Sequence, residues 1–220
     1  MKLNVIYEDN HIIVVEKPAN IPSQKDNTND IDMLTIIKDY LKEKYDKKGN
    51  VYLGLVHRLD RPVGGIMVFA KTSKAASRLS DQIRKNEFKK TYIAIVDGVL
   101  KQKQGTWKDY LIKNEKTNIT TTTTKEKGKE AILDYKVIDE KNNLSMLKIN
   151  LKTGRSHQIR VQTSSRGYPI VGDSKYGKNE GKINIALFAY ELSFIHPTKK
   201  EQMTFKLNLP NRYPYNIFNL

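Results

Sequence analysis

Short runs of β-branched and aromatic residues recur along almost the whole chain, and this pattern constrains the fold most. Runs with the length and composition of strands are "LNVIYED", "HIIVVEK", "IMVFA", "KTYIAIVDG", "AILDYKVI", "LSMLKINL", "INIALFAYELSFIHP" and "QMTFKLNL". They do not alternate regularly with helical segments, and no segment repeats. The sequence therefore predicts an α+β fold with a mixed, mainly antiparallel sheet and flanking helices.

Helices are predicted at three places. In "DMLTIIKDYLKEKY" apolar residues recur every three or four positions, and in "TSKAASRLSDQIRKN" Ala76, Leu79 and Ile83 share one face behind a Thr or Ser cap. The third is "SHQIRVQTSSR". Residues 101–130 are polar and leave two alternatives open, a threonine-rich hairpin or a mobile basic loop. Because 220 residues are the size of one large domain, we predict a single domain over 1–220.

The chain carries a formal net charge of +15, which indicates a polyanionic partner. This charge is unevenly distributed, since residues 51–220 contain 31 basic and 15 acidic residues and so carry +16. Nucleic acid is the leading candidate partner, and its binding surface is expected in this later part. The alternative is a solvated, lysine-rich surface without a partner.

Features typical of disulfides, metal sites and membrane anchors are missing or poorly spaced. The sequence has no cysteine, and its histidines (His11, His57, His157 and His196) include no pair four residues apart. The N terminus lacks the uninterrupted apolar run of a signal peptide, and no segment reaches membrane-spanning length. We therefore expect a soluble, cytoplasmic protein without metal, cofactor or membrane attachment.

The stretch "HRLDRPVGG", residues 57–65, contains a single carboxylate, Asp60. Pro62 and the two glycines predict a tight, backbone-exposed loop that leads into the buried strand "IMVFA". A carboxylate at the mouth of such a strand is well placed to face a ligand. The alternative is structural, with Asp60 capping the loop or pairing with Arg58 or Arg61.

A second polar cluster lies in "LKTGRSHQIRVQ", residues 151–162. If this segment is helical, His157 and Arg160 lie one turn apart on a single face. The apolar neighbours of Arg160 predict a partly buried helix, and a partly buried arginine needs a carboxylate partner. For Arg155, phosphate contact and plain surface charge are equally open.

These residues carry a resemblance to a known family. "HRLDRPVGGIMVFAKTSKAA" resembles the active-site signature of the RluA-type RNA pseudouridine synthases, and "TGRSHQIRVQ" resembles their later arginine motif. The match continues through "VIYEDNHIIVVEKPANIPSQ", "KKTYIAIVDG", "GYPIVGDSKYG" and "LSFIHP". It covers most of the chain except residues 101–130 and the C-terminal end. The resemblance implies the pseudouridine synthase catalytic fold and isomerisation of specific uridines in structured RNA, either ribosomal or transfer RNA.

The resemblance also implies roles for individual residues. Asp60 is the essential catalytic carboxylate and Arg160 its ion-pair partner. Tyr92 packs against the target base and moves a proton late in the reaction, and Arg58 fills the space that the flipped base leaves in the RNA. The other residues assigned to substrate or RNA binding are Arg155, His157 and Leu187.

The implied chemistry agrees with these residue types. Breaking a glycosidic bond develops positive charge at C1′, which a carboxylate can stabilise or capture. One carboxylate is enough, because uracil leaves as a delocalised anion and then attacks through its own C5. The reaction has no net redox change and requires no metal or nucleotide.

The chain departs from the commoner family pattern in three places. "PVGG" stands where many relatives have Thr-Ser-Gly, "RVQ" replaces "RVH", and Leu187, Phe188 and Ala189 replace "LHA". These differences bear on the choice of target rather than on the reaction class. Because the match begins at residue 3, the sequence also predicts a monomeric, stand-alone catalytic domain without a separate N-terminal RNA-binding domain.

Two functions from other classes stay open. A catalytically inactive RNA-binding protein would keep the fold and its basic surface. A glycosidase or nucleosidase would use Asp60 on a small substrate, although a small sugar does not explain a net charge of +15. Activity on polymeric RNA against activity on free nucleosides separates these functions.

Overall fold

The computed structural model describes residues 3–177 and 183–218. In chain order these residues form β1 (Asn4–Glu8), β2 (Ile12–Lys17), α1 (Met33–Lys44), β3 (Gly54–Leu55), β4 (Gly64–Ala70), α2 (Ser73–Arg84), β5 (Lys89–Asp97), β6 (Gln104–Asn114), β7 (Ile119–Thr123), β8 (Lys129–Lys141), β9 (Leu144–Leu151), α3 (Gln158–Ser164), β10 (Leu187–Ile195), β11 (Gln202–Lys206) and a 3-10 helix (Tyr215–Ile217). The predicted α+β class, with mainly antiparallel strands and flanking helices, is confirmed.

The chain divides into two compact units. Unit 1 comprises Met1–Lys89 and Ala189–Leu207, and unit 2 comprises Lys90–Phe188 and Asn208–Leu220. The expectation of one catalytic domain over 1–220 stays a prediction.

Unit 1 is organised around β2 and β4, which pair antiparallel from Ile12↔Ala70 to Lys17↔Gly65. β1 pairs with β2, β3 pairs with β4, and β11 pairs with β10, all antiparallel. Every residue of β4 is buried, as the apolar run "IMVFA" predicts. The turn that carries Asp60 thus leads directly into a rigid, fully buried strand.

Both predicted helices of unit 1 are confirmed, and each begins at a side-chain cap. Asp32 Oδ1 accepts a hydrogen bond from the Leu34 amide at 2.9 Å, and Thr72 Oγ1 accepts one from the Ala75 amide at 3.2 Å. Leu79 of α2 is fully buried in an apolar cluster, and burial of such a side chain stabilises the fold by about 1.5–3 kcal/mol. The other fully buried members of that cluster include Ile12, Val14, Val68 and Phe194.

The structure corrects the expectation that the two glycines after Asp60 lie in a backbone-exposed loop. Gly64 and Gly65 are not exposed loop residues but the buried first residues of β4. A Cβ built on Gly65 would lie 2.3 Å from the Ala189 carbonyl oxygen, and its φ is +128°. Glycine is therefore required here for close backbone packing as well as for its conformation.

Unit 2 contains the strand order β5-β9-β8-β6-β7, with each neighbouring pair antiparallel. The inward side chains of β6 and β8 include Trp107 and Tyr135, whose ring centroids are 4.3 Å apart. Of the two alternatives for residues 101–130, the structure shows the threonine-rich hairpin, formed by β6 and β7 and paired from Tyr110↔Thr123 to Asn114↔Ile119.

Helix α3 is shorter than the sequence pattern predicts. It begins at Gln158, and His157 stands at its N-cap with a left-handed backbone (φ 53°). His157 thus lies one turn before Arg160 but at the N-cap rather than inside the helix, and both side chains contact the ring of Tyr176. The predicted burial of this helix is confirmed, with Arg160 only 4% exposed.

Candidate active site

The turn that carries Asp60 lies in unit 1 and is closed by a hydrogen bond from the Val63 amide to the Asp60 carbonyl at 2.9 Å. Ser23 holds the residue before Asp60: its hydroxyl donates to the Leu59 carbonyl at 2.9 Å and accepts from the Leu59 amide at 3.2 Å. The Asn20 amide donates to the Arg61 carbonyl at 2.8 Å, just after Asp60. The half-buried Asp60 is therefore presented on a backbone fixed from both sides.

Lys17 also fixes the backbone of the Asp60 turn, and the sequence reasoning missed it. Its side chain is fully buried, and its Nζ donates to the carbonyls of Pro18 at 2.9 Å and Arg61 at 3.0 Å. Burial lowers the pKa of Lys17 to about 7, while attraction to the Asp60 carboxylate opposes this shift and the charge of Arg61 adds to it. The ammonium thus ties the end of β2 to the residue that follows Asp60.

The two arginines beside Asp60 differ in their surroundings. Arg58 is exposed, and its assignment to RNA contact stays a prediction. Arg61 pairs with Asp30 and with Asp26 Oδ2, the latter at 3.5 Å, and also donates to Thr28 Oγ1 at 3.2 Å. The charge of Arg61 is thereby directed to the loop that precedes α1.

The other predicted site residues lie in unit 2. Tyr92 stands on β5 opposite Ile149 and is 7% exposed. Leu187 is the first residue of β10 and is 4% exposed, and its neighbour Phe188 packs edge-on against Tyr215 with ring centroids 6.5 Å apart. Tyr92 and Leu187 are thus buried side chains, while the polar groups predicted for the site in unit 2 come from the α3 region.

Arg160 has a buried carboxylate partner that the sequence reasoning missed. Its Nε donates to Asp173 Oδ2 at 2.8 Å and its Nη2 to Asp173 Oδ1 at 2.7 Å, a bidentate pair in which Asp173 is 1% exposed. The amides of Lys175 and Tyr176 also donate to Asp173 Oδ1, at 2.9 and 3.1 Å. Burial alone raises the pKa of Asp173, but the hydrogen bonds and charge of Arg160 and these amides hold it below its ordinary value.

Tyr176 connects this ion pair to His157 and to the β6–β7 hairpin. Its ring lies 5.1 Å from the guanidinium carbon of Arg160. Its hydroxyl accepts a hydrogen bond from the Thr120 amide at 2.8 Å and lies 2.7 Å from His157 Nδ1. Burial raises the pKa of the Tyr176 hydroxyl, while its hydrogen bond from the Thr120 amide opposes this shift.

The turn before α3 is fixed by Gln158. Its Oε1 accepts from the Arg155 amide at 3.0 Å and from Thr153 Oγ1 at 2.8 Å, and its Nε2 donates to the Ile132 carbonyl at 3.1 Å. Arg155 is exposed, and its Nε donates to the Glu130 carbonyl at 2.7 Å. The Arg155 side chain is thus anchored at one nitrogen while its charge stays accessible to solvent.

Unit 1 holds the Asp60 carboxylate on a fixed turn, and unit 2 by itself contains the buried Arg160, the buried Tyr92 and the exposed Arg155. Within residues 3–177 and 183–218, no group of three or more His, Asp or Glu side chains is arranged to hold a metal ion. No α-helix in the same part of the chain is long and apolar enough to cross a membrane. The Asp173–Arg160 pair, Tyr176 and Lys17 are the polar features that only the three-dimensional structure revealed.

Comparison with known proteins identifies the family. A family model described as RNA pseudouridylate synthase matches residues 11–165. An uncharacterized RNA pseudouridine synthase of Aquifex aeolicus is 34% identical over 96% of this chain and 71% of its own length. The ribosomal large subunit pseudouridine synthase C of Buchnera aphidicola is 33% identical over 90% of this chain and 64% of its own length. The chain therefore spans about two thirds of the length of these relatives.

A solved structure supports the fold. Human RNA pseudouridylate synthase domain containing 4 superposes with a TM-score of 0.80, covers 94% of this chain and 88% of its own, and is 20% identical. A relative in Borreliella burgdorferi, 31% identical over 98% of this chain, is named ribosomal large subunit pseudouridine synthase D. These matches confirm the resemblance to the RluA type noted from the motifs. The chain belongs to the RNA pseudouridylate synthase family.

Proposed function

We propose that this enzyme isomerises specific uridines to pseudouridine in structured RNA, ribosomal or transfer RNA, with the Asp60 carboxylate as the essential catalytic group. The observation that carries the proposal is the construction of the Asp60 turn. Lys17, Asn20 and Ser23 hold the backbone on both sides of Asp60, which leads directly into the buried strand β4. Such rigid support is what a catalytic side chain needs to keep one orientation toward its substrate.

The proposed reaction breaks the N1–C1′ bond and forms a C5–C1′ bond. Asp60 stabilises the positive charge that develops at C1′ as uracil leaves with the bonding electrons. The uracil then turns and bonds to C1′ through C5. The C5 proton is lost to solvent and N1 gains a proton, so the product is an isomer of the substrate and no oxidant or reductant takes part.

The other roles follow from the family resemblance and the local chemistry. Arg160 stabilises the Asp60 carboxylate. A guanidinium has five N–H donors, of which Asp173 uses two, so one arginine can serve two carboxylates. Tyr92 packs against the target base and moves a proton late in the reaction, and Arg58 occupies the space of the flipped base. Phosphate or substrate contacts are assigned to Arg155, His157 and Leu187.

The proposal also covers the partner, the oligomeric state and the location of the protein. RNA is its partner, and the basic residues of 51–220 supply most of the attraction to it. We expect a single catalytic domain that acts as a monomer in the cytoplasm without a cofactor.

Tritium release from RNA labelled at uridine C5 tests the proposal, with ribosomal and transfer RNA taken from a source that lacks this protein. The wild type should release tritium and Asp60→Asn should release none above background. Asp39→Asn, which changes an exposed carboxylate of α1, is the matched control and should keep wild-type activity. If the wild type binds RNA but releases tritium from neither ribosomal nor transfer RNA, the result would contradict the proposal and favour an inactive RNA-binding protein.

A further inference from the structure

Lys90 is a half-buried cation that the proposed mechanism does not use. It is the second residue of β5 and stands two positions before Tyr92. Because side chains alternate along a strand, Lys90 and Tyr92 lie on the same face of β5, roughly 7 Å apart along it. Lys89 is exposed and lies on the other face.

The Lys90 ammonium lies against the turn that precedes α3. A Cβ built on Gly154 would be 3.2 Å from Lys90 Nζ and would meet no other residue within 4 Å. Gly154 itself is exposed, as is the next residue, Arg155. A Cβ at position 154 would therefore be closer to Lys90 Nζ than an ordinary contact, so the absence of a side chain lets the Lys90 ammonium lie directly against this turn.

In the part of the chain that the structure describes, the Lys90 ammonium makes no side-chain hydrogen bond or ion pair. The other buried cations discussed above differ in this respect, since Arg160 is paired with Asp173 and Lys17 donates to two carbonyls. Burial alone lowers the pKa of Lys90. A half-buried ammonium without an internal partner is unfavourable in the free protein, and an external anion would offset this desolvation.

We propose that Lys90 and the Gly154 turn form a binding site for an RNA phosphate adjacent to the nucleotide whose base packs on Tyr92. This inference rests on the proposed function, because it takes the role of Tyr92 from there. An ammonium is a compact point charge suited to a phosphate oxygen, and glycine lets the RNA backbone approach the turn closely. Positions two residues apart on a strand match the distance from a base to the backbone of its own or the next nucleotide.

The test is RNA binding as a function of salt, with an unmodified ribosomal RNA transcript as the probe. Lys90→Met removes the charge and keeps an apolar stem, whereas Lys89→Met makes the same change at the exposed neighbour. Lys90→Met should weaken binding about tenfold at low salt and reduce the slope of log Kd against log salt by about 0.7. Lys89→Met should change both quantities much less, and Lys90→Arg should keep most of the slope. In steady-state assays over a range of RNA concentrations, Lys90→Met should raise KM more than it lowers kcat.

Equal effects of the two methionine variants, or a wild-type slope in Lys90→Met, would overturn the proposal. So would a clear loss of thermal stability in Lys90→Met, because the ammonium would then have a stabilising partner in the free protein. The binding assay needs no turnover and therefore separates this inference from the proposed function. A wild type without tritium release but with a Lys90-dependent slope would refute only the catalytic proposal, and an active enzyme with a normal Lys90→Met slope would refute only the phosphate site.

Discussion

Replacing Asp173 by asparagine removes the negative charge that compensates the buried guanidinium of Arg160. Asp173 Oδ1 accepts from Arg160 Nη2 and from two backbone amides, and Oδ2 accepts from Arg160 Nε. An asparagine that keeps the three contacts of Oδ1 turns its own amide toward Nε, so two donors face each other. The loss combines one charge-assisted hydrogen bond, about 1.5–3 kcal/mol, with the removal of one carboxylate from a buried ion pair, which gives a total of about 3–5 kcal/mol.

Urea denaturation followed by fluorescence measures this loss. With an m-value of about 2 kcal/mol per M, the midpoint of Asp173→Asn should fall by roughly 2 M at pH 7. Because the folded-state pKa of Asp173 is lowered, its contribution is present above the unfolded value of about 4 and is lost as the pH falls further. The difference between the two proteins should therefore shrink in acid. Asp97→Asn, at an exposed position of β5, is the control. A loss below about 1 kcal/mol at pH 7 would refute the reasoning, since another acceptor would then serve Arg160 equally well.

Two further predictions concern Lys17 and Gly65, the residues that support the Asp60 turn and the strand after it. The folded-state pKa of Lys17 is lowered from 10.5 to about 7, so the unfolded chain binds more protons between these values and the free energy of unfolding should rise with pH there. The difference between wild type and Lys17→Met, from denaturation between pH 7 and 10, should show this rise at about 1 kcal/mol per pH unit, and a pH-independent difference would contradict it. Gly65→Ala should destabilise unit 1 by about 3 kcal/mol or more, because its Cβ would meet the Ala189 backbone at 2.3 Å and φ is +128°. Gly49→Ala, where a Cβ meets nothing within 4 Å, should leave the thermal midpoint nearly unchanged, and equal midpoints for the two variants would argue against this packing.

Local pattern was enough to predict most of the secondary structure. Several strands alternate with period two, β4 is a short continuous apolar run, and the helices α1 and α2 repeat every three to four residues, so each segment carries its own signal. Residues 101–130 lacked such a signal because threonine favours strands while charge and glycine favour loops. The contacts that hold this hairpin come from elsewhere in unit 2: the Thr120 amide donates to the Tyr176 hydroxyl, and Lys175 Nζ donates to the Asn118 carbonyl at 2.8 Å.

The candidate site was only partly predictable from the sequence, because its residues are held by contacts with residues from other parts of the chain. A buried arginine was expected to have a carboxylate partner, but this expectation does not say which Asp or Glu is the partner. The partner, Asp173, lies 13 residues away in a separate loop. Lys17 at the end of a strand looks like an exposed residue, and the carbonyls of Pro18 and Arg61 that accept its hydrogen bonds make its burial possible. His157 fits a helical pattern, yet its left-handed backbone at the N-cap removes it from the helix. The pairing of Asp60 with Arg160 stays a prediction.

The central claim is that this enzyme isomerises uridine rather than removing uracil or only binding RNA. Chromatographic analysis of nucleosides and free bases, after incubation of unmodified RNA with the wild type, tests it most directly. Pseudouridine should appear in the digested RNA in step with tritium release, and no free uracil should form. Free uracil without pseudouridine would identify a glycosidase, and the absence of both would leave a protein that binds RNA without acting on it; either result would contradict isomerisation by this enzyme.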